Sequence, residues 1–237
     1  PLSSPQARSD PQKAVWRMDM EKSKIEQMIR DRGFSYLRPY FYNNQYALRC
    51  ELGIGEGEEY LVNAKKRAME IYDILFPFGA DAIIFNYWIN DYSECGDADM
   101  EDPDWMESVE YSVEQEAAQL RFLLECQRKY RHFTVRDPET YGDLDDDYAG
   151  NPRRNRVICY RDDKTFDHSA LIDIEFGPYG HEVSFVSFEN ECILSVYDDR
   201  GCDIVFATHE KMNAFYHKLR PYFLDYDLEE MEKRHEE

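Results

Sequence analysis

Downstream of Arg156 the chain is a succession of short apolar runs, each closed by turn-forming residues, and this pattern constrains the fold more than any other. Arg156–Tyr160, Ala170–Phe176, Val183–Phe188, Ile193–Tyr197 and Cys202–Ala207 read as strands, separated by Gly177-Pro178, Glu189-Asn190 and Asp199-Arg200-Gly201. Runs of this length between turns predict sequential hairpins, a β-meander in an antiparallel sheet. A last helix is expected from Thr208, a suitable N-cap although Lys211 is not a capping-box partner, past Phe215 and Leu219 to Pro221.

The upstream half mixes the two periods. Tyr46–Leu52 alternates apolar and polar residues as a half-buried strand does, and the turn Gly53-Ile54-Gly55-Glu56-Gly57 follows it. Tyr60, Ala64, Ala68, Ile71, Tyr72 and Leu75 then repeat at helical intervals up to Pro77. Ala82–Ile89 is of strand length, and Val109, Val113, Ala117, Leu120 and Leu124 mark a long amphipathic helix ending near Tyr130. A first short helix over Glu21–Arg32 should stop at Gly33. The expected class is α+β, an antiparallel sheet with flanking helices. Residues 1–19 lack periodicity and read as a cloning scar or loose tail, Met18 or Met20 being the natural start. The expected organisation beyond them is an α/β half over 20–136 that carries an acidic loop, a Pro-, Gly- and Asp-rich loop over 137–155, and the sheet and helix of 156–237, with the halves packed as one unit.

Charge narrows the function classes. A formal charge of −21 repels nucleic acid and anionic lipid, so partners should be basic or neutral. No run approaches the roughly 20 apolar residues that span a bilayer, and no basic-then-apolar signal opens the chain. Six cysteines without a CxxC pair point to reduced, buried thiols and a cytoplasmic setting.

Most chemical motifs fail on inspection. Gly53-x-Gly55-x-Gly57 lies between a strand and a helix, where backbone amides can hold a phosphate, but Glu56, Glu58 and Glu59 would repel one; the alternative is a flexible turn. Asp143-x-Asp145-x-Asp147 has Tyr148 and Arg154 where a calcium loop needs glycine and glutamate, and Asp97-x-Asp99-x-Glu101 fails likewise at Asp102 and Ser108. Histidines form neither HxH nor HExxH, and GxSxG is absent. No catalytic residue, metal set or cofactor is assigned. Asp198-Asp199-Arg200-Gly201 with Asp203 is the sharpest local motif, read either as a tight hairpin in which Arg200 pairs with a neighbouring carboxylate, or as a charged turn in contact with a ligand.

Between Arg67 and Arg121 there is no lysine or arginine. Asp97, Asp99, Glu101, Asp102, Asp104, Glu107 and Glu110 crowd this stretch, and Trp105 among them supplies an aromatic anchor. Part of the acidity suits a helix N-terminus. The rest reads as a solvated face or as a docking surface for a basic protein.

Two signatures carry a family resemblance: Tyr42-Asn43-Asn44-Gln45-Tyr46-Ala47-Leu48-Arg49-Cys50-Glu51-Leu52-Gly53 with the helix into Leu75-Phe76-Pro77, and Val196-Tyr197-Asp198-Asp199-Arg200-Gly201-Cys202-Asp203-Ile204-Val205 with Phe223-Leu224-Asp225-Tyr226-Asp227. Together they resemble a bacterial domain-of-unknown-function family of Bacillus-type genomes, from about Glu21 to Asp227. The resemblance implies a compact bacterial cytoplasmic protein, some of whose relatives look like immunity partners of secreted toxins, and it transfers no catalytic role. The expected function is therefore a non-enzymatic acidic binding protein, an immunity-type inhibitor of a basic partner such as a toxin. The alternative is an enzyme or small-ligand domain using the Gly53–Gly57 turn and the Asp198–Asp203 hairpin, which requires a concave pocket joining the two. A purely structural or assembly role is a third reading.

Overall fold

In a computed structural model of the chain the alternating segments pair into a seven-stranded antiparallel sheet of order β1-β7-β6-β5-β2-β4-β3. The strands are β1 (Ala47–Glu51), β2 (Ala82–Ile89), β3 (Arg131–Thr140), β4 (Arg153–Tyr160), β5 (Val183–Ser187), β6 (Cys192–Asp198) and β7 (Gly201–Phe206). The structure describes residues 39–89, 103–140, 153–161, 164–176 and 183–236 with Lys24, Gln27, Gly33 and Phe34, and for 87–89, 103–112, 115–116, 135–140 and 153–155 the backbone alone. Two units divide the chain, Pro1–Phe34 and Ser35–Glu237. In the first, Lys24 and Gln27 are helical and Gly33 takes φ +70°; the rest of the helix expected there lies outside the described residues.

Among the described residues, the α-helices of the second unit are α1 (Tyr40–Asn43), α2 (Glu58–Leu75), α3 (Pro103–Lys129), α4 (His168–Glu175), α5 (His209–Leu219) and α6 (Leu228–Glu236). Residues opposite one another on neighbouring strands share a face, so the register assigns the two sides of the sheet. One side carries Phe85, Phe185 and Phe206. Against it lie Phe122 of α3, Tyr72 of α2 and Phe215 of α5, with ring centroids 5.2, 5.0 and 5.6 Å away respectively. This is the apolar core, and the helical spacing of Ala64, Ala68, Ile71, Tyr72 and Leu75 follows from it.

The other side is different. A row in register runs Arg49, Asp203, Ser195, Ser184, Ile84, Ile158, Phe133 across all seven strands. It is polar at the β1 end and apolar at the β3 end. All four polar members are buried, so hydrogen bonding must replace their lost hydration.

Two expectations are corrected. Ala170–Phe176 is not a strand: Asp167 caps a helix there, its side chain accepting from the Ala170 N–H at 3.2 Å, and Leu171, Ile172 and Glu175 turn inward at helical spacing. A short apolar run fits either element, and the cap decides. The stretch 137–155 is also not loop throughout, since β3 runs to Thr140 and β4 starts at Arg153. Ladder pairing satisfies backbone groups whatever the side chains, so a polar sequence did not reveal these strand ends. The meander comprises β5, β6 and β7, while β2 inserts between β5 and β4. Thr208 does cap α5, accepting from the Lys211 N–H at 3.2 Å.

Beyond α5 the chain returns to cover the outer edge of β1. Phe223 bridges to Cys50, the Leu224 N–H donates to the Arg49 carbonyl at 3.1 Å, and the Arg49 N–H donates to Sδ of Met231 at 3.2 Å. An edge strand closed in this way offers no ladder for another chain to extend.

Candidate functional site: a tyrosine-walled acidic cleft

The polar end of the row is organised around one buried guanidinium. Arg49 donates from Nε to Asp203 Oδ1 at 2.7 Å, from Nη2 to Asp203 Oδ2 at 3.1 Å and from Nη1 to Asp227 Oδ2 at 3.4 Å. Asp203 also accepts the Phe41 N–H at 3.0 Å, and Asp227 the Tyr42 hydroxyl at 2.7 Å. The guanidinium carbon lies 4.7 Å from the Tyr42 ring centre and 5.1 Å from that of Phe41. Burial works against the charge of Arg49, yet its hydrogen bonds to Asp203 and the neighbouring carboxylates raise its pKa above the usual guanidinium value. β1 and β7 thus hold a fully paired fork–fork ion pair.

Outside this pair opens a cleft of about 720 Å³. Pro39, Tyr40, Arg49, Glu51, Gly53, Tyr60, Ser195, Tyr197, Asp198, Arg200, Asp203 and Leu224 line it. The walls depend on two glycines. A Cβ on Gly53 would fall within the Tyr60 ring; one on Gly201 would overlap the Tyr197 hydroxyl and stand 2.7 Å from the Cys50 carbonyl oxygen. Tyr60 and Tyr197 lie where those side chains would be. Tyr60 is a mobile ring end, whereas the Cys50 carbonyl is backbone. Gly201→Ala is therefore expected to lower stability by about 1–3 kcal/mol and Gly53→Ala by less, with Tyr60 displaced from the cleft. Urea unfolding of the two variants checks this, and equal losses would contradict it.

Asp198-Asp199-Arg200-Gly201 forms the tight turn between β6 and β7, and Asp198 and Arg200 line the cleft. The Arg200 N–H donates to Asp198 Oδ1 and its Nε to Asp198 Oδ2, both at 2.8 Å. Asp198 and Glu51 both stand opposite Gly201, on the strands either side of it. In the lining of the cleft, Glu51, Asp198 and Asp203 outnumber Arg49 and Arg200 by one charge, and Asp227 adds a further carboxylate on Arg49. The field acts on the tyrosines: burial first, then Asp199 and Asp198, raise the Tyr60 pKa, and burial with Asp203 raises that of Tyr197. Both phenols keep their protons.

Of the residues singled out from sequence, Gly53, Asp198, Arg200 and Asp203 meet in the cleft. Asp199 sits in the hairpin turn, and Gly55 and Gly57 take φ +93° and +59° in an exposed turn. Asp97, Asp99, Glu101 and Asp102 lie outside the described residues; Asp104, Trp105, Glu107 and Glu110 fall on the α3 backbone, with side chains outside them. Arg49, Glu51, Tyr60, Tyr197 and Asp227 were not foreseen. Their signal was present in part, since Arg49 and Asp203 are opposite charges on the polar phase of two alternating strands, but nothing local pairs them.

Among the described residues no group of three or more His, Cys, Asp or Glu is placed to hold a metal ion. The described cysteines are buried thiols, and burial pushes that of Cys126 up to about 11. Burial likewise raises the thiols of Cys159, Cys192 and Cys202, the opposite of what activates a nucleophile. No helix among the described residues is long and apolar enough to cross a membrane.

Fold and site together define an open antiparallel α+β domain with an acidic, aromatic cleft at one sheet edge. The chain belongs to the family described as Domain of unknown function (DUF3885), which it matches over residues 23–227. No curated protein and no solved structure matches it.

Proposed function

We propose that this is a non-enzymatic binding protein that captures a basic protein partner and receives one of the partner's cationic side chains in the cleft. The observation that carries the reading is the cleft's composition: an excess of carboxylates between tyrosine faces, with both resident guanidiniums already committed to carboxylates. Carboxylate with aromatic surface is the chemistry that holds an ammonium or guanidinium group. An immunity-type inhibitor of a basic toxin, acting in the bacterial cytoplasm, is the member of this class that the sequence resemblance implies. The stretch from Asp97 to Glu110 would steer such a partner by charge.

The test is binding of a fluorescein-labelled Lys- and Arg-rich dodecapeptide to the wild type and to the Glu51→Gln, Asp198→Asn double variant. Removing two charges from a formal −21 barely alters non-specific attraction. Loss of cleft contacts should still weaken binding about tenfold. Unchanged affinity in that variant, with loss on reversing Asp99, Glu101, Asp102 and Asp104 to lysine, would move the site to the acidic stretch.

A small-ligand or enzymatic role is the second reading, favoured by the meeting of Gly53 with Asp198 and Asp203 in one concavity. It predicts tight binding of a free small cation with no gain from peptide length.

A further inference from the structure

The mouth of the cleft already holds a guanidinium. Arg200 places Nε and Nη2 on the single oxygen Oδ2 of Asp198, while its side chain is 76% exposed. Deeper in, Arg49 repeats the pairing of a guanidinium with a carboxylate and adds the rings of Tyr42 and Tyr197, 4.7 and 5.7 Å from its guanidinium carbon, but its side chain is only 11% exposed. Two carboxylates pin Arg49, its N–H and carbonyl are bonded to the C-terminal segment, and it cannot leave. Arg200 can leave, because an exposed ion pair contributes little stability and exchanges with solvent. Asp198 would stay aimed when it does. Its other oxygen, Oδ1, is held by the Arg200 backbone N–H, which does not depend on the side chain.

We propose that Arg200 is the resident stand-in for the ligand: the partner's side chain is an arginine, which takes Oδ2 of Asp198 against the tyrosine walls while Arg200 swings out to solvent. The inference rests on the cationic-cleft reading above and adds to it the ligand class and a built-in competitor. Arginine is favoured over lysine because the planar fork sets two donors on one carboxylate and also lies flat on an aromatic face. An ammonium does the first poorly and the second less well. Competition of this kind lowers affinity for isolated cations and leaves binding to partners that add contacts beyond the mouth, so it acts as a specificity filter.

Calorimetric titration of the full chain with N-acetyl-argininamide and N-acetyl-lysinamide tests it, using the wild type, Arg200→Ala, Arg200→Gln and the Arg200→Ala, Asp198→Asn double variant. The arginine probe should bind the wild type, bind both single variants about three- to fivefold more tightly, and lose that gain in the double variant. The lysine probe should be the weaker throughout. Equal or weaker binding of the arginine probe to both single variants would overturn the competition and leave the cationic cleft standing. Preference for the lysine probe would overturn the guanidinium assignment. Failure of both probes to bind any of these proteins would remove the cleft reading and this inference with it.

Discussion

Replacing Asp203 with alanine will lower the free energy of unfolding by about 3–5 kcal/mol, the loss expected when one partner of a buried ion pair is removed. Three bonds go at once: both arms of the Arg49 fork and the acceptor of the Phe41 N–H. Arg49 is left with Asp227 at 3.4 Å, in a site where burial already works against its charge. It cannot escape by losing its proton, since a guanidinium keeps it at any ordinary pH. The cost arises from the charge left behind more than from the bond removed. Arg49→Met combined with Asp203→Leu should therefore recover part of the loss: the stranded guanidinium is gone, while Asp227 keeps only the Tyr42 hydroxyl and the Phe41 N–H remains without its acceptor. Urea unfolding of the two variants measures both effects, and a loss below about 1 kcal/mol for Asp203→Ala would contradict the account.

Met231→Ala is expected to cost about 2–5 kcal/mol, as for other fully buried methionines. Its side chain has no exposed surface, and its sulfur accepts the N–H of Arg49 at 3.2 Å. The same helix carries Arg234, which donates to the carbonyls of Phe41 at 2.9 Å and Asn44 at 3.1 Å and stands 4.2 Å from the Phe41 ring centre. α6 thus clamps α1 and the edge of β1 together. Truncating Met231 opens a cavity between them and leaves the Arg49 amide without its acceptor. Hydrogen exchange at that amide should accelerate alongside the fall in stability; a protected Arg49 amide in a destabilised variant would show that the clamp lies elsewhere.

The two changes test different layers of one arrangement. Asp203 and Met231 act on Arg49 from opposite strand edges, through β7 and through the C-terminal helix. If the cleft is the binding site, both variants should also weaken the peptide, because both loosen the wall that carries Glu51.

Much of this fold is legible in the local sequence. The runs Val183–Phe188, Ile193–Tyr197 and Cys202–Ala207 are strands to within a residue or two, Thr208 is an N-cap, and Tyr60 to Leu75 is a helix, because period, turn chemistry and capping are local properties. Ala170–Phe176 failed since its length fits either element, and only the bond from the Ala170 N–H to Asp167 resolves it. The site was legible by halves. Asp198, Arg200 and Asp203 drew notice as a charged hairpin, but Arg49 and Glu51 read as the solvent face of a half-buried strand.

What the sequence determined by itself is the charge of the surface, the order of the elements and the face each strand residue takes, since alternation assigns sides without reference to a neighbour. What only the tertiary structure decided is which strands adjoin. Arg49 and Asp203 are 154 residues apart, and nothing in either strand names the other. Placing β7 beside β1 turns two polar positions into a buried ion pair, and the absent side chains of Gly53 and Gly201 into a walled cleft. Periodicity encodes direction, whereas a site needs proximity, and here proximity came from the order of strands in the sheet.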